Sequence, residues 1–193
     1  MNHKRILKWE IIGFFIISLV GSAFHFCYEW SGYFKPLALF CAVNESVWEH
    51  VKMGFWPAAF YAIAEYFAFG KNKKNFIAAK TAALYMLPII IITVYYLLEA
   101  ILGKHAVWID ITLFIAAILI SQWFSYKIII SYRDYSRYRG LSYILLLLIV
   151  IAFSLFTFFP PHLELFRDPP TGGYGILPAK KQHLYVLHYT IYI

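Results

Sequence analysis

Long apolar runs alternate along the chain with short breaks marked by charge, proline or glycine. Each run approaches the ~20 residues that a helix needs to cross the hydrocarbon of a bilayer. Five crossing helices are predicted, at about residues 11–28, 44–69, 76–102, 106–126 and 141–159. Residues 34–43, opened by Pro36, are too short to cross and read as a re-entrant or interfacial turn. Pro57, shortly after Gly54, and Pro88 fall inside predicted helices and are expected to kink them. The stretch FFPPHLELFRDPPTGGYG is too rich in proline and glycine for a helix and predicts a turn-rich cap. The tail ending HLYVLHYTIYI favours extended backbone, is too short to cross, and is expected to lie in the membrane interface. The architecture expected is an all-α integral membrane protein. Residues 1–159 form its bundle of about five transmembrane helices, and 160–193 an extracytoplasmic cap and tail of the same domain.

The first run has a rival reading as a signal peptide, because Lys4, Arg5 and Lys8 precede it and Ser22-Ala23 resembles a cleavage site. Glu10 interrupts the charged-to-apolar transition and the helical pattern continues past that site, so the run is read as a retained span. Composition strengthens the membrane reading: 62% of the 193 residues are hydrophobic and only 14% charged, far from the balance of a soluble domain. Charge then sets an orientation. With the N-terminus cytoplasmic, the inner segments hold Lys4, Arg5, Lys8, Lys71, Lys73, Lys74, Lys80, Lys127, Arg133, Arg137 and Arg139, most of the 17 basic residues. The net charge of +7 is therefore a positive-inside pattern with attraction to anionic headgroups, and implies no nucleic-acid partner.

In that topology the chemistry-bearing residues fall on the outer side. His25 and Glu29 end the first span, NESVWEH opens the second, Glu99 ends the third, His105 and Asp110 open the fourth, and His162 and Asp168 follow the fifth. His25 and Glu29 are four residues apart, about 40° around a helix, so both can face one ligand. A solvated pair at headgroup level is the plainer reading. In NESVWEH, Asn44 suits a helix N-cap and Glu45 the positive end of the helix dipole. On one straight helix His50 would lie about 140° from Glu45, so either Glu45 caps or the first turn is irregular. Glu45 and Glu49 repel unless a proton, a cation or Lys52 lies between them. In the cap, His162 and Asp168 can add ligands and Arg167 can hold a carboxylate or phosphate, against a plain reading as a solvated loop.

His25, His50 and His162 together suit a zinc-type ion with an open fourth position, and Glu49 or Glu29 a general base for metal-bound water. No H-E-x-x-H stretch is present, so such a site would be assembled from distant segments. Asn44, Glu45, Trp48, Asp110, Arg167 and Asp168 complete the candidate ligand-binding set. Two function classes follow. One is a metal-dependent hydrolase of a lipid or amphiphile at the outer leaflet; the other is a non-enzymatic binding or transport protein for a cation or small ligand. Polar residues gathered on one side tilt the choice toward the enzyme. Glu65, Lys80 and Gln122, toward the inner half, are expected to snorkel or to bond between helices. Cys27 and Cys41 leave a disulfide open, with buried free thiols as the expectation.

The stretches HFCYEWSG, AVNESVWEHVK and FFPPHLELFRDPPTGGYGI resemble the signatures of a family of small bacterial integral-membrane proteins, a domain of unknown function. The resemblance runs to about Ile176. It implies a helical membrane fold and a prokaryotic cell-membrane location, and it carries no catalytic residues.

Overall fold

The computed structural model of the protein describes residues 2–103 and 106–177; His105, His183, His188 and the expected interfacial tail lie outside them. Among the described residues there are five α-helices: α1 (His3–Trp30), α2 (Val47–Ala68), α3 (Phe76–Leu102), α4 (Val107–Ile129) and α5 (Arg139–Phe158). No sheet accompanies them; one isolated bridge joins Arg167 and Tyr174. Helix α1 begins well before the predicted boundary, taking Lys4, Arg5 and Lys8 into its first turns, and α2 begins three residues later than predicted, leaving Asn44 outside. Both helices with an internal proline continue through it, at Pro57 and Pro88.

Four helical runs are long and apolar enough to cross a membrane: α1, α3, α4 and Ser136–Phe158, which contains α5. The predicted second span is not among them. Helix α2 carries Glu49, His50, Lys52 and Glu65, and from Val47 to Pro57 it is buried except at half-buried His50. Charges are kept in such a buried stretch if they are paired. The C-terminal half of α2 exposes Phe60, Ile63 and Phe67, and the four span helices show apolar faces of the same kind, with Leu19, Ile89, Leu119 and Leu147 all exposed. These are the features of a multi-pass membrane protein.

The chain divides into two compact units, Met1–Gly21 with Gly54–Ile149, and Ser22–Met53 with Val150–Ile193. In the first, α3 packs on α4, and Ile6, Phe69, Phe76, Ala79 and Ile129 form a core flanked by Trp9 and Tyr126. Gly13 lets α1 approach its neighbours: a Cβ there would collide with the Tyr61 ring and the Gln122 amide. Buried Asn75 donates to the carbonyls of Ile128, Ser131 and Arg133 and accepts from Tyr135 N–H at 2.9 Å, fixing the turn after α4. Within that turn, hydrogen bonds from Ser136 and then the Lys74 ammonium hold the Asp134 carboxyl down at about 2.

The second unit is built around the return of the chain from α1 to α2. The predicted re-entrant stretch is a 3₁₀ turn, Lys35–Leu39, with Pro36 at its start. Ala42 N–H donates to Phe24 C=O at 3.0 Å, which lays the returning chain along the last turns of α1. Cys27 and Cys41 are joined as a disulfide, correcting the expectation of free thiols. The physical reason is the turn, which brings their Cα atoms to 5.8 Å, within the usual range for a bridge. Trp48 is buried among Phe153, Phe156 and Phe166, stacking on the first at 4.6 Å between ring centroids.

Candidate metal centre

His25 comes from the C-terminal turns of α1, Glu45 from the returning segment, and His50 from the first turns of α2. Glu45 Oε1 stands 3.9 Å from His25 Nε2, and Oε2 stands 3.5 Å from His50 Nε2. The two imidazoles lie 5.4 Å apart. One ligand atom from each of the three residues lies within 4.8 Å of the other two, which makes this a group able to hold a metal ion. Ligands of a tetrahedral zinc, each ~2.0–2.1 Å from the metal, are about 3.4 Å apart, so modest side-chain rotation closes the site. The side chains are 27%, 20% and 36% exposed for His25, Glu45 and His50, enough for an ion to reach them from solvent.

Local hydrogen bonding explains how the sequence builds this group. Ser46, rather than Asn44, caps α2: its hydroxyl accepts Glu49 N–H at 3.4 Å and its carbonyl accepts His50 N–H at 3.2 Å. Asn44 instead accepts Ser46 N–H at 2.8 Å through Oδ1, an Asx turn before the helix. Glu45 is therefore outside α2, and the 140° separation of a continuous helix does not apply to it and His50. His50 Nδ1 lies 2.9 Å from the Ser46 carbonyl, an acceptor, so Nδ1 carries the proton. Nε2, the ring nitrogen left to a metal, is the one that faces Glu45. A histidine fixed by such a bond through its other nitrogen is the usual arrangement of a metal ligand.

The remaining candidate residues have other surroundings. Glu49 is buried, pairs with Lys52 Nζ at 2.5 Å and accepts Val43 N–H at 3.1 Å. Lys52, itself buried, also donates to Ala38 C=O at 2.8 Å and to Thr157 Oγ1 at 3.1 Å. Asp168 is buried and organises the cap: Oδ1 accepts Glu45 N–H at 2.9 Å, and Oδ2 accepts both the N–H and the hydroxyl of Thr171. Asn44 Nδ2 donates to Gly175 C=O at 2.9 Å, a second tie to the cap. His162 is exposed and stacks on Tyr174 at 4.6 Å. Arg167, also exposed, pairs with Glu164 at 2.9 Å. Glu29 is exposed at the end of α1, where its charge, after burial, helps push the Tyr33 phenol up. Trp48 is a packing residue of the second unit, and Asp110 lies in the first turn of α4, in the first unit.

Two arrangements were anticipated only in part, Lys52 as a counter-charge and Glu65 and Lys80 as residues that bond between helices; Glu10 was not included. Lys52 closes a buried polar knot with Glu49, and Glu10, Glu65 and Lys80 form a buried charged cluster in the first unit. The signal for both was ionisable residues within or beside apolar runs, where an unpaired charge is too costly to persist.

No curated protein and no solved structure matches the chain. Residues 1–176 match the model of a family of unknown function, DUF6512, and the chain belongs to that family.

Proposed function

We propose that the protein is a membrane-embedded metal-binding protein in which His25, Glu45 and His50 hold one divalent transition-metal ion, zinc first among them. The carrying observation is the His₂Glu donor set with His50 Nδ1 already committed to the Ser46 carbonyl. Two imidazoles and a carboxylate are the ligands of several catalytic zinc sites, which keep a fourth position for water or substrate. Binding takes precedence over hydrolysis because Glu49, a candidate base, is neutralised by Lys52 and engaged by Val43. Hydrolysis of a lipid or amphiphile is the second reading, favoured by the partial exposure of all three ligands and the open fourth position. The disulfide supports an orientation with the Cys27–Cys41 end in an oxidising, extracytoplasmic compartment and the N-terminus cytoplasmic, as the basic residues also do.

The test is elemental analysis of protein purified in detergent without chelator. About one metal per chain is expected in the wild type and in His162→Ala, with loss in His25→Ala, Glu45→Ala and His50→Ala. Affinity should fall with acidification, because a protonated imidazole cannot bind a metal. Wild-type protein that neither carries a metal nor takes up zinc on titration would sink the proposal. Incubation of the metal-loaded protein with labelled lipids then separates the two readings, since turnover lost in His50→Ala favours the hydrolase.

A further inference from the structure

The first unit contains a buried charged cluster, independent of the metal reading. Lys80 Nζ of α3 lies 2.8 Å from Glu10 Oε1 of α1 and 2.5 Å from Glu65 Oε2 of α2. All three residues are buried. The groups facing them from each packed helix are polar but uncharged. From α4, Ser125 donates to Glu10 Oε1 at 2.8 Å and Gln122 donates to the Glu10 carbonyl; from α2, Tyr61 donates to the Trp9 carbonyl of α1. From α3 itself, the Phe76 ring lies beneath the ammonium.

Charge counting leaves a deficit. Two ionised carboxylates and one ammonium sum to one uncompensated negative charge in a buried site, with Glu10 and Lys80 on helices long and apolar enough to cross a membrane. Like carboxylates sharing one site do not both stay ionised when a proton can enter. Glu10 Oε2 and Glu65 Oε1 have no hydrogen-bond partner among the described residues, and these are the oxygens a proton would occupy. Lys80 also borders a small void. A cavity of ≈ 10 Å³, close to the room one water needs, is lined by Lys80, Ser121 and Gln122 among apolar residues of α1 to α4. Buried Ser121 lacks a partner for its hydroxyl among the described residues.

We infer that Glu10, Glu65 and Lys80 form an intramembrane proton-binding site that carries one exchangeable proton, shared between the two carboxylates. Proton uptake converts one carboxylate to a carboxylic acid and makes the cluster neutral; release returns it to one net negative charge.

Infrared spectroscopy of the full protein in lipid, in sodium-free buffer at neutral pH, tests the count. Wild type should show one protonated-carboxyl band that shifts in D₂O. Glu10→Gln and Glu65→Gln each leave one carboxylate to one ammonium, so each should lose the band entirely. Lys80→Met leaves two carboxylates without a cation, and should double it. Absence of the band from wild type, its failure to shift in D₂O, or its survival in both glutamine variants overturns the inference. Should Lys80→Met fail to fold, the comparison of wild type with Glu65→Gln decides alone.

Discussion

At the scale of single residues, Lys52 shows how a charge is kept in an apolar chain. Its ammonium has the Glu49 carboxylate, the Ala38 carbonyl and the Thr157 hydroxyl as partners, so every donor finds an acceptor. Removing one member of such a pair strands the other. Lys52→Met should destabilise the protein by about 3–5 kcal/mol, the range for an uncompensated buried charge. Glu49→Gln in the same chain should recover much of that loss, because the stranded charge is gone. Thermal unfolding of the two single variants and the double variant in detergent measures the coupling. Additive losses would mean that the pair stabilises nothing. Part of this was readable beforehand: the spacing of Glu45, Glu49 and Lys52 already required a counter-charge. The choice of Glu49 over Glu45 was not readable, because it depends on where α2 begins, and that is set by Ser46.

At the scale of elements, the hydrophobic pattern located all five helices, since apolar period and length are local properties of a sequence. Helix α2, predicted as the second span, is not among the four runs apolar enough to cross by length and composition, because Glu49, His50, Lys52 and Glu65 lower its hydropathy. The disulfide was underestimated because the 3₁₀ turn that brings the two cysteines together cannot be inferred from a separation of 14 residues. That bridge closes a short loop carrying the approach to Glu45. Cys27→Ser with Cys41→Ser should lower stability by about 3 kcal/mol on the chain-entropy estimate for a ~15-residue loop. It should also weaken metal binding, since the returning segment would lose its covalent tie to α1 and keep the Ala42–Phe24 hydrogen bond and the packing of Ala38 and Val43 with Tyr28. Unfolding curves and zinc titration of the double serine variant check both outcomes; unchanged zinc affinity would show that the bridge does not position Glu45.

At the scale of the whole molecule, the composition identified the solvent correctly as lipid, and the four long apolar runs follow from it. The candidate centre was legible only as an inventory. His25, Glu45 and His50 were named among several possible ligands, but the trio depends on the backbone path between α1 and α2. That path has a last consequence through the cap. Asp168 receives the backbone N–H of Glu45, so the residue whose carboxylate belongs to the proposed metal site is also an anchor for residues 168–175. Thermodynamic reciprocity then requires any energy the cap contributes to ordering Glu45 to reappear as cap ordering when Glu45 is claimed by an ion. Zinc should slow amide hydrogen exchange at Gly172 and Gly173, which are not among the three ligands. Asp168→Asn, which weakens the acceptor without unpacking the core, should reduce that protection and raise the zinc dissociation constant.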